Sequence, residues 1–267
     1  MSSDMRARIA DVADISQTGL AREENEDSLL SLPDDGFFAV SDGMGGAAAG
    51  ATASKIITDG LRIMSGTAQD SAGERKYLLQ QTLHKVNSEI VRFAAAHRYE
   101  TMGATVVSLL LDPWAAGKAD ICNIGDSRGY CFRQDELFLL TEDHVLSTAP
   151  EQRHILTNYL GGKAYMSATW DQVSICPGDR FLLCSDGLSS VLPEETIRTI
   201  LAARAGAEPT LRAFEEAILN AGAPDNFSVI CIDIAETLPP DPEISREDRE
   251  ESDYLYNIAE TRKDYGR

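Results

Sequence analysis

The sequence has few residues of the kinds that form disulfides or bind soft metals. Its 267 residues include five cysteines and four histidines. No two cysteines form a C-x-x-C pair, and each lies in or beside an apolar run such as FLLC or VICI. This pattern favours buried, reduced thiols and a reducing cytoplasm. The histidines are not at zinc-ligand spacings either, and they stand at His84, His97, His144 and His154.

Long hydrophobic runs and internal repeats are also lacking. The longest strongly apolar run, around VVSLLL, is far too short to span a bilayer. The first residues, MSSDMRARIADVAD, lack the apolar core of a signal peptide. We therefore expect a cytoplasmic protein that has no membrane partner.

Positive charge is scarce. The chain has 24 Lys+Arg against 43 Asp+Glu, which gives a formal net charge of −19. A field of this sign repels nucleic acid and attracts divalent cations or basic partners. Most of these carboxylates are expected to lie on a solvated acidic surface. Only those in turns at the ends of predicted strands are candidates for a functional site.

The apolar pattern alternates between strands and helices and predicts an α+β fold. Helices are expected over about 47–64, 193–203 and 211–221, and another through the apolar positions from Leu79 to Phe93, which are spaced 4, 3, 4 and 3. Short β-rich runs bounded by Gly, Asp or Pro predict the strands. Hairpin strands with paired helices favour a four-layer αββα sandwich, in which antiparallel helix pairs flank two antiparallel sheets. The predicted strands are FFAV, TVVSLLL, ADICNI, GYCFR, ELFLL, WDQVSI, DRFLLCS and FSVICIDI.

The composition changes after Ala235. The segment TLPPDPEISREDREESDY is rich in proline and acidic residues, which is typical of a tail or linker. The sequence thus predicts one folded domain over residues 1–235 and an acidic tail over 236–267. One short helix in the tail is predicted around Tyr254, Leu255 and Ile258.

Four acidic turns occupy the same kind of position, at or beside the end of a predicted strand. Asp42-Gly43 and Asp186-Gly187 each follow a serine and an apolar strand, Asp126 lies between two strands, and Asp225 precedes the last one. A single Asp-Gly pair is usually only a turn, because glycine adopts positive φ without cost. Four such turns can place their carboxylates at one edge of a sandwich.

Such a cluster requires cations, because several adjacent carboxylates cannot all stay ionised. Oxygen ligands without histidine or cysteine select Mg²⁺ or Mn²⁺. Two such ions lower the pKa of a bridging water and offset charge on a phosphoryl group. Arg22, in R-E-E-N-E-D, supplies the forked donor that suits a phosphate dianion.

Seven motifs stand in an order that resembles the metal-dependent protein phosphatases. This is the PPM, or type 2C, family, and the sequence is most similar to its bacterial branch. The resemblance runs from about Asp14 to Asp233, and each motif alone is weak while the ordered set is specific. The motifs are R-x-x-N-E-D from Arg22, D-G-M-G-G from Asp42, M-G-A-T from Met102, G-D-S-R from Gly125, T-E-D-H from Thr141, S-D-G-L from Ser185 and D-N-F-S from Asp225.

The resemblance implies hydrolysis of phosphoserine and phosphothreonine in proteins, with two Mg²⁺ or Mn²⁺ ions in the core site and a weaker third. It implies that Asp42 bridges both core ions, that the Gly43 carbonyl coordinates the first, and that Asp186 and Asp225 hold the second. Glu26 would lie near the first ion. Asp126 would hold the third together with Asp186. Arg22 would bind the substrate phosphate, and Asp27 would accept a hydrogen bond behind the ligands.

The sequence departs from the family at two places. Met44 stands where eukaryotic relatives have a histidine that is a proposed general acid, although bacterial relatives commonly carry methionine there. The segment from Asp143 to Gly161, which in bacterial relatives carries a longer flap, is short. Within it, Asn158 and Tyr159 stand where Arg and Ala are common.

Two other classes of function remain as alternatives. One is a catalytically weak regulator that binds phosphoproteins on the same fold, against which the retention of Arg22, Asp42, Asp186 and Asp225 argues. The other is a non-enzymatic cation-binding protein, but no D-x-D-x-D-G loop occurs in the sequence. The expected partners are phosphorylated proteins, namely a Ser/Thr kinase or its substrates, and the expected state is a monomer.

Overall fold

The computed structural model describes residues 9–67, 71–112, 117–146, 155–162 and 166–235. The strands are β1 Ile9–Gln17, β2 Ser28–Leu32, β3 Phe37–Ser41, β4 Gly43–Met44, β5 Gly103–Ala104, β6 Val106–Leu111, β7 Lys118–Ile124, β8 Arg128–Arg133, β9 Glu136–Leu139, β10 Thr169–Ser174, β11 Arg180–Cys184 and β12 Phe227–Ile234. The helices are α1 Ala47–Ser65, α2 Ala72–His97, α3 Asp186–Ser189, α4 Glu194–Ala202 and α5 Ala207–Asn220.

The strands form two five-stranded sheets and one short ribbon. The first sheet has the order β1-β12-β11-β8-β9, the second β10-β7-β6-β3-β2, and the ribbon pairs β4 with β5. Every pairing between these strands is antiparallel. The acidic turns lie at or beside the ends of these strands.

Three buried apolar layers show that the sheets and helices stack as four layers. One layer packs α1 and α2 against the second sheet, with Ile57 and Leu83 meeting Phe37. The middle layer lies between the two sheets and includes Phe38 and Phe181. The last layer packs α3, α4 and α5 against the outer face of the first sheet. The predicted αββα sandwich is confirmed.

The strands and helices predicted within the described residues are all present, but the β4–β5 ribbon, helix α3 and two N-terminal strands were not predicted, and one helix boundary differs. A tight hairpin joins β8 to β9, and Gln134 and Asp135 both adopt positive φ between the paired Arg133 and Glu136. Strands β1 and β2 were not predicted from the sequence. Helix α5 begins at residue 207, four residues before the predicted start.

The early start of α5 has a physical cause in the unpredicted strand β1. The Asp11 carboxylate accepts a hydrogen bond from the Ala207 backbone N–H at 2.8 Å. This contact satisfies a donor that an α-helix leaves unpaired in its first turn. A partner 196 positions away in the sequence is invisible to local pattern analysis.

Several expectations bear on other parts of the chain. The predicted tail over 236–267 and its short helix lie outside the described residues. In the described part of the chain, no helix is both long and apolar enough to cross a bilayer. All five cysteines are free, and four of them are buried.

Candidate metal centre

The antiparallel register brings the acidic turns to one edge of the sandwich. Ser28 pairs with Ser41, so Asp27 and Asp42 are neighbours at the ends of β2 and β3. Cys184 pairs with both Arg128 and Val229, so the turn before β8, the end of β11 and the start of β12 also meet there. These turns carry Asp126, Asp186 and Asp225.

Asp42 lies at the centre of this edge. Burial raises the pKa of its carboxyl well above the usual range, and the carboxylates of Asp27, Asp186 and Asp126 raise it further. Asp42 and Asp186 share a side-chain hydrogen bond. Two carboxyl groups in such contact share a proton or require a cation, because both cannot be ionised there without a counter-charge.

The carboxyls around Asp42 are perturbed in the same direction. Burial raises the pKa of Asp27 to about 7, with further contributions from Asp186 and Asp225. Burial and the neighbouring Asp186 raise the pKa of Asp126 to about 7 as well. Burial likewise raises the pKa of Asp186, and the charge of Asp225 adds to this. The cluster therefore resists full ionisation at neutral pH unless a counter-charge offsets it.

Asp27 binds Ser185, the residue that follows β11. Its Oδ2 atom accepts a hydrogen bond from the Ser185 hydroxyl at 2.8 Å, and Ser185 in turn accepts one from the Ser228 N–H at 2.9 Å. The Oδ1 atom of Asp27 is buried without a hydrogen-bond partner. A buried, unpaired carboxylate oxygen is costly. It marks a site that is suited to a cation or to an ordered water.

Glu26 packs against Gly43 and against Gly50 in the first turn of α1. Its backbone carbonyl accepts hydrogen bonds from the Gly43 N–H at 3.2 Å and from the Ser54 hydroxyl at 2.6 Å. A Cβ atom at Gly50 would collide with the Glu26 carboxylate, and one at Gly43 would collide with the Gly50 carbonyl. Glycine is therefore required at both positions for Glu26 to lie beside the Asp42 turn.

Arg22 forms an ion pair with Asp225. Its Nη2 atom lies 2.8 Å from Asp225 Oδ2, and the two side chains are 49% and 33% exposed. The hydrogen bond and the charge of Asp225 raise the pKa of Arg22. The guanidinium thus stands at the open side of the carboxylate cluster, where it can meet a dianion from solvent.

Asn226 holds the Arg22 segment against the last turn. Its Nδ2 atom donates to the carbonyls of Thr18 at 2.8 Å and Glu24 at 3.0 Å, while its Oδ1 atom accepts from the Glu26 N–H at 2.9 Å. Asn226 therefore fixes the segment that carries Arg22 and Glu26 to the turn before β12.

The turn that bears Asp126 is fixed by neighbouring side chains. The Thr105 hydroxyl accepts from the Asp42 N–H at 3.1 Å and bonds the Ser127 hydroxyl at 2.6 Å. Arg128 makes a bidentate pair with Asp143, with bonds of 2.9 and 2.6 Å. Arg128 thus pairs with a carboxylate, and the buried Thr105 hydroxyl supports both turns.

The donor set fits a hard divalent cation. In the described ranges, no three Asp, Glu, His or Cys side chains converge as a ready-made ligand set, and the carboxylate of Asp225 is engaged by Arg22. The groups that do gather are carboxylates together with the Gly43 peptide, which are the oxygen ligands preferred by Mg²⁺ and Mn²⁺. Their mutual repulsion and the orphan Asp27 oxygen are the features that such ions relieve.

Sequence reasoning missed Ser185, Ser54 and Gly50 as supports of this site. A signal existed for Ser185, because the same S-D-G triplet occurs twice. The two serines act differently, since Ser41 donates to the Thr105 carbonyl at 2.7 Å whereas Ser185 bonds Asp27. No local signal marks Gly50, whose role depends on the Glu26 side chain arriving from another strand.

A carboxylate cluster beside a half-exposed guanidinium, at the edge of an αββα sandwich, is typical of a metal-dependent phosphatase. Comparison with known proteins agrees with this class. The family model for protein phosphatase 2C matches residues 21–222. The chain therefore belongs to the protein phosphatase 2C family.

Similar bacterial proteins are named as serine/threonine phosphatases. The serine/threonine protein phosphatase PstP of Mycobacterium tuberculosis is 32% identical over 237 residues, which cover 83% of this chain and 44% of that protein. The serine/threonine phosphatase stp of Listeria innocua is 30% identical over 238 residues, covering 80% of this chain and 92% of that protein. The chain thus spans less than half of the first relative and most of the second.

Solved structures share the fold. PppA, a key regulatory component of the T6SS in Pseudomonas aeruginosa, superimposes with a TM-score of 0.77 at 30% identity, covering 85% of this chain and 99% of that one. The catalytic domain of PstP, in complex with two manganese ions, gives a TM-score of 0.72 at 31% identity, covering 84% and 97%. The manganese ions belong to that relative.

Proposed function

We propose that this protein hydrolyses phosphate from phosphoserine and phosphothreonine in proteins, using Mg²⁺ or Mn²⁺. The observation that carries the proposal is the buried, mutually repelling set of Asp42, Asp27, Asp126 and Asp186, which lies beside the exposed guanidinium of Arg22. Family membership and the names of the relatives support the same activity.

The resemblance to the family implies how the ligands would divide among the ions. Asp42 and the Gly43 carbonyl, with Glu26 beside them, would hold one ion. Asp42, Asp186 and Asp225 would hold the second. Asp126 and Asp186 would hold a weaker third. When bound, the ions supply acidified water and neutralise charge on the phosphoryl oxygens.

The other side chains bind and orient. Arg22 binds the substrate phosphate with two parallel donors, which orients the phosphoryl group toward the carboxylate edge. Asp27 keeps Ser185 and the following Asp186 in place through its 2.8 Å hydrogen bond. Met44 has no proton to donate, so protonation of the leaving serine or threonine oxygen falls to water or to another group.

The competing function, a catalytically weak regulator that binds phosphoproteins, has no supporting observation. Its hallmark would be the loss of acidic residues from the edge. Here the acidic turns and Arg22 are all present and close together. The relatives, moreover, are named as phosphatases.

The test of the proposed function is turnover of p-nitrophenyl phosphate and of a phosphothreonine peptide, with and without Mn²⁺. We expect wild-type turnover to require Mn²⁺ or Mg²⁺. We also expect Asp42→Asn to lose more than about a hundredfold in kcat, because it removes the charge shared by both core ions. The matched control is Asp59→Asn, which neutralises an exposed carboxylate paired with Lys55 on α1. Turnover that survives EDTA or the Asp42→Asn change contradicts the proposal.

We further propose the biological setting of this activity. A Ser/Thr phosphatase needs a kinase that makes its substrates, so the partners are a bacterial Ser/Thr kinase or the proteins it phosphorylates. The five free cysteines suit a reducing compartment, which supports a cytoplasmic location. We propose a monomer whose catalytic domain is residues 1–235, with residues 236–267 as a separate acidic tail.

A further inference from the structure

His144 connects the Asp126 turn to β10. Its backbone N–H donates to the Gly125 carbonyl at 2.9 Å, and its Nδ1 atom lies 3.1 Å from the Gly125 N–H donor. On the other side of the ring, Nε2 lies 2.9 Å from the Thr169 hydroxyl. The imidazole therefore bridges the turn that carries Asp126 and a strand of the second sheet.

A second donor reaches the same ring nitrogen. Asn158 Nδ2 lies 2.9 Å from His144 Nδ1 and 2.5 Å from the Ser167 carbonyl. The carbonyl contact fixes which way the amide faces, because its oxygen cannot lie at that distance from another oxygen. Asn158 therefore presents N–H to His144.

These contacts determine the tautomer of His144. Both Gly125 and Asn158 offer N–H groups to Nδ1, so Nδ1 must be the unprotonated acceptor. The proton is then on Nε2, which donates to Thr169. Burial lowers the pKa of His144, which agrees with a neutral ring at neutral pH.

We propose that Asn158 is a positioning residue that holds His144 in the Nε2–H tautomer, so that the ring accepts the Gly125 N–H and fixes the peptide that precedes Asp126. The inference rests on the proposed function, because its consequence is the direction of the Asp126 carboxylate toward the weaker third ion.

The other end of the same segment is anchored near Asp42. Leu160 and Ala104 exchange two backbone hydrogen bonds of 2.9 Å, and the Gly161 N–H donates to Asn87 at 2.7 Å. The residue after Ala104 is Thr105, which accepts from the Asp42 N–H at 3.1 Å. The segment from Asn158 to Gly161 therefore connects the Asp126 turn to the Asp42 turn through hydrogen bonds at both of its ends.

The experiment compares Asn158→Asp with Asn158→Ala by ¹⁵N NMR of the histidine ring and by amide exchange at Gly125. The aspartate is isosteric but accepts hydrogen bonds, so it draws a proton onto Nδ1 and removes the acceptor of the Gly125 N–H. We expect the Nδ1 resonance to move into the protonated range and Gly125 to exchange roughly three- to tenfold faster, the factor for one lost hydrogen bond. Alanine removes one of the two donors to Nδ1, so we expect it to shift the Nδ1 resonance and to speed Gly125 exchange in the same direction by a smaller amount. Wild-type values in Asn158→Ala would contradict the positioning role.

Asn87→Ala is the matched control, since it loosens the same segment at Gly161 without touching His144. It should leave the ring resonances and the Gly125 exchange rate at wild-type values. If Asn158→Asp leaves Nδ1 unprotonated and Gly125 exchange unchanged, the positioning role is wrong. If Asn87→Ala has the same effect as Asn158→Asp, general loosening explains the result and the role is wrong as well.

A metal readout tests the consequence for Asp126. In Asn158→Asp we expect the weakest Mn²⁺ binding step in calorimetry to become roughly three- to tenfold weaker, while the two tighter steps are unchanged. Unchanged weak binding, despite a shifted ring proton, overturns the link to Asp126. If the wild type shows no Mn²⁺-dependent turnover, the proposed function is wrong. The NMR result on the His144 tautomer does not depend on that outcome.

Discussion

Arg22 is the residue at which the proposed phosphate site and the candidate metal site meet. It is held by a carboxylate of the cluster rather than by a distant partner, and nearly half of its side chain is exposed. Asn226 fixes the backbone on both sides of it through Thr18 and Glu24. The guanidinium is thus pre-positioned for a phosphate group without being buried.

Replacing Arg22 with lysine tests whether the forked geometry matters beyond the charge. Lysine keeps the positive charge but lacks the two parallel donors. We expect kcat/KM for a phosphothreonine peptide to fall roughly 10- to 100-fold, because hydrogen bonds to charged groups contribute about 1.5–3 kcal/mol. Mn²⁺ affinity should change little. Arg212→Lys, at an exposed pair with Glu208 on α5, is the control. A kcat/KM equal to that of the wild type would exclude Arg22 as the phosphate ligand.

At the scale of elements, β12 closes the fold. It lies between β1 and β11 and extends to Ile234. The Asp225 turn that opens β12 belongs to the candidate site. We therefore expect the catalytic fold to depend on β12 and not on residues 236–267.

Deleting residues 236–267 should leave Mn²⁺-dependent turnover of p-nitrophenyl phosphate within about twofold of the full chain, because all pairings of β12 remain. The comparison variant ends at residue 226 and so lacks β12. It should fail to fold, since the first sheet would lose the strand that pairs with both β1 and β11. A large loss of turnover in the shorter deletion would place the tail within the catalytic fold.

Elements with a strong local pattern were predictable from the sequence. The apolar spacing of Leu79, Leu83, Val86 and Ile90 identified α2, and all four side chains are buried. Strand β1 was not predicted, because its burial pattern mixes half-buried and exposed positions without clean alternation. Its identity as a strand depends on pairing with β12, whose residues lie more than 200 positions away.

At the scale of the whole molecule, the carboxylate cluster couples stability to pH and to cations. The pKa values of Asp27 and Asp126 are each raised to about 7 by burial and by neighbouring carboxylates. Between about pH 4 and 7, these groups bind protons in the folded state but not in the unfolded state. In this window the folded state therefore loses stability as pH rises, and above about 7 their contribution is constant.

We expect the Tm in EDTA to fall as pH rises from about 4 to about 7, and Mn²⁺ to raise Tm more at pH 8 than at pH 5. Asp126→Asn removes one of the titrating groups, so its Tm in EDTA should depend less on pH than that of the wild type. Asp59→Asn, which neutralises an exposed carboxylate, should follow the wild-type curve. Equal pH dependence in the wild type and Asp126→Asn would show that burial of Asp126 does not control stability.

The sequence by itself determined the family, the alternation of strands and helices, and the acidic turns, because each depends on residue types at short spacing. Only the tertiary structure decided which carboxylates touch, that Arg22 pairs with Asp225, and that Asp27 supports Ser185, whose partner is 158 positions away. It also decided that Asn158 contacts His144 and that His144 accepts the Gly125 N–H beside Asp126. The physical reason is that antiparallel register, set by long-range pairing and burial, brings together side chains whose pKa values and roles depend on one another.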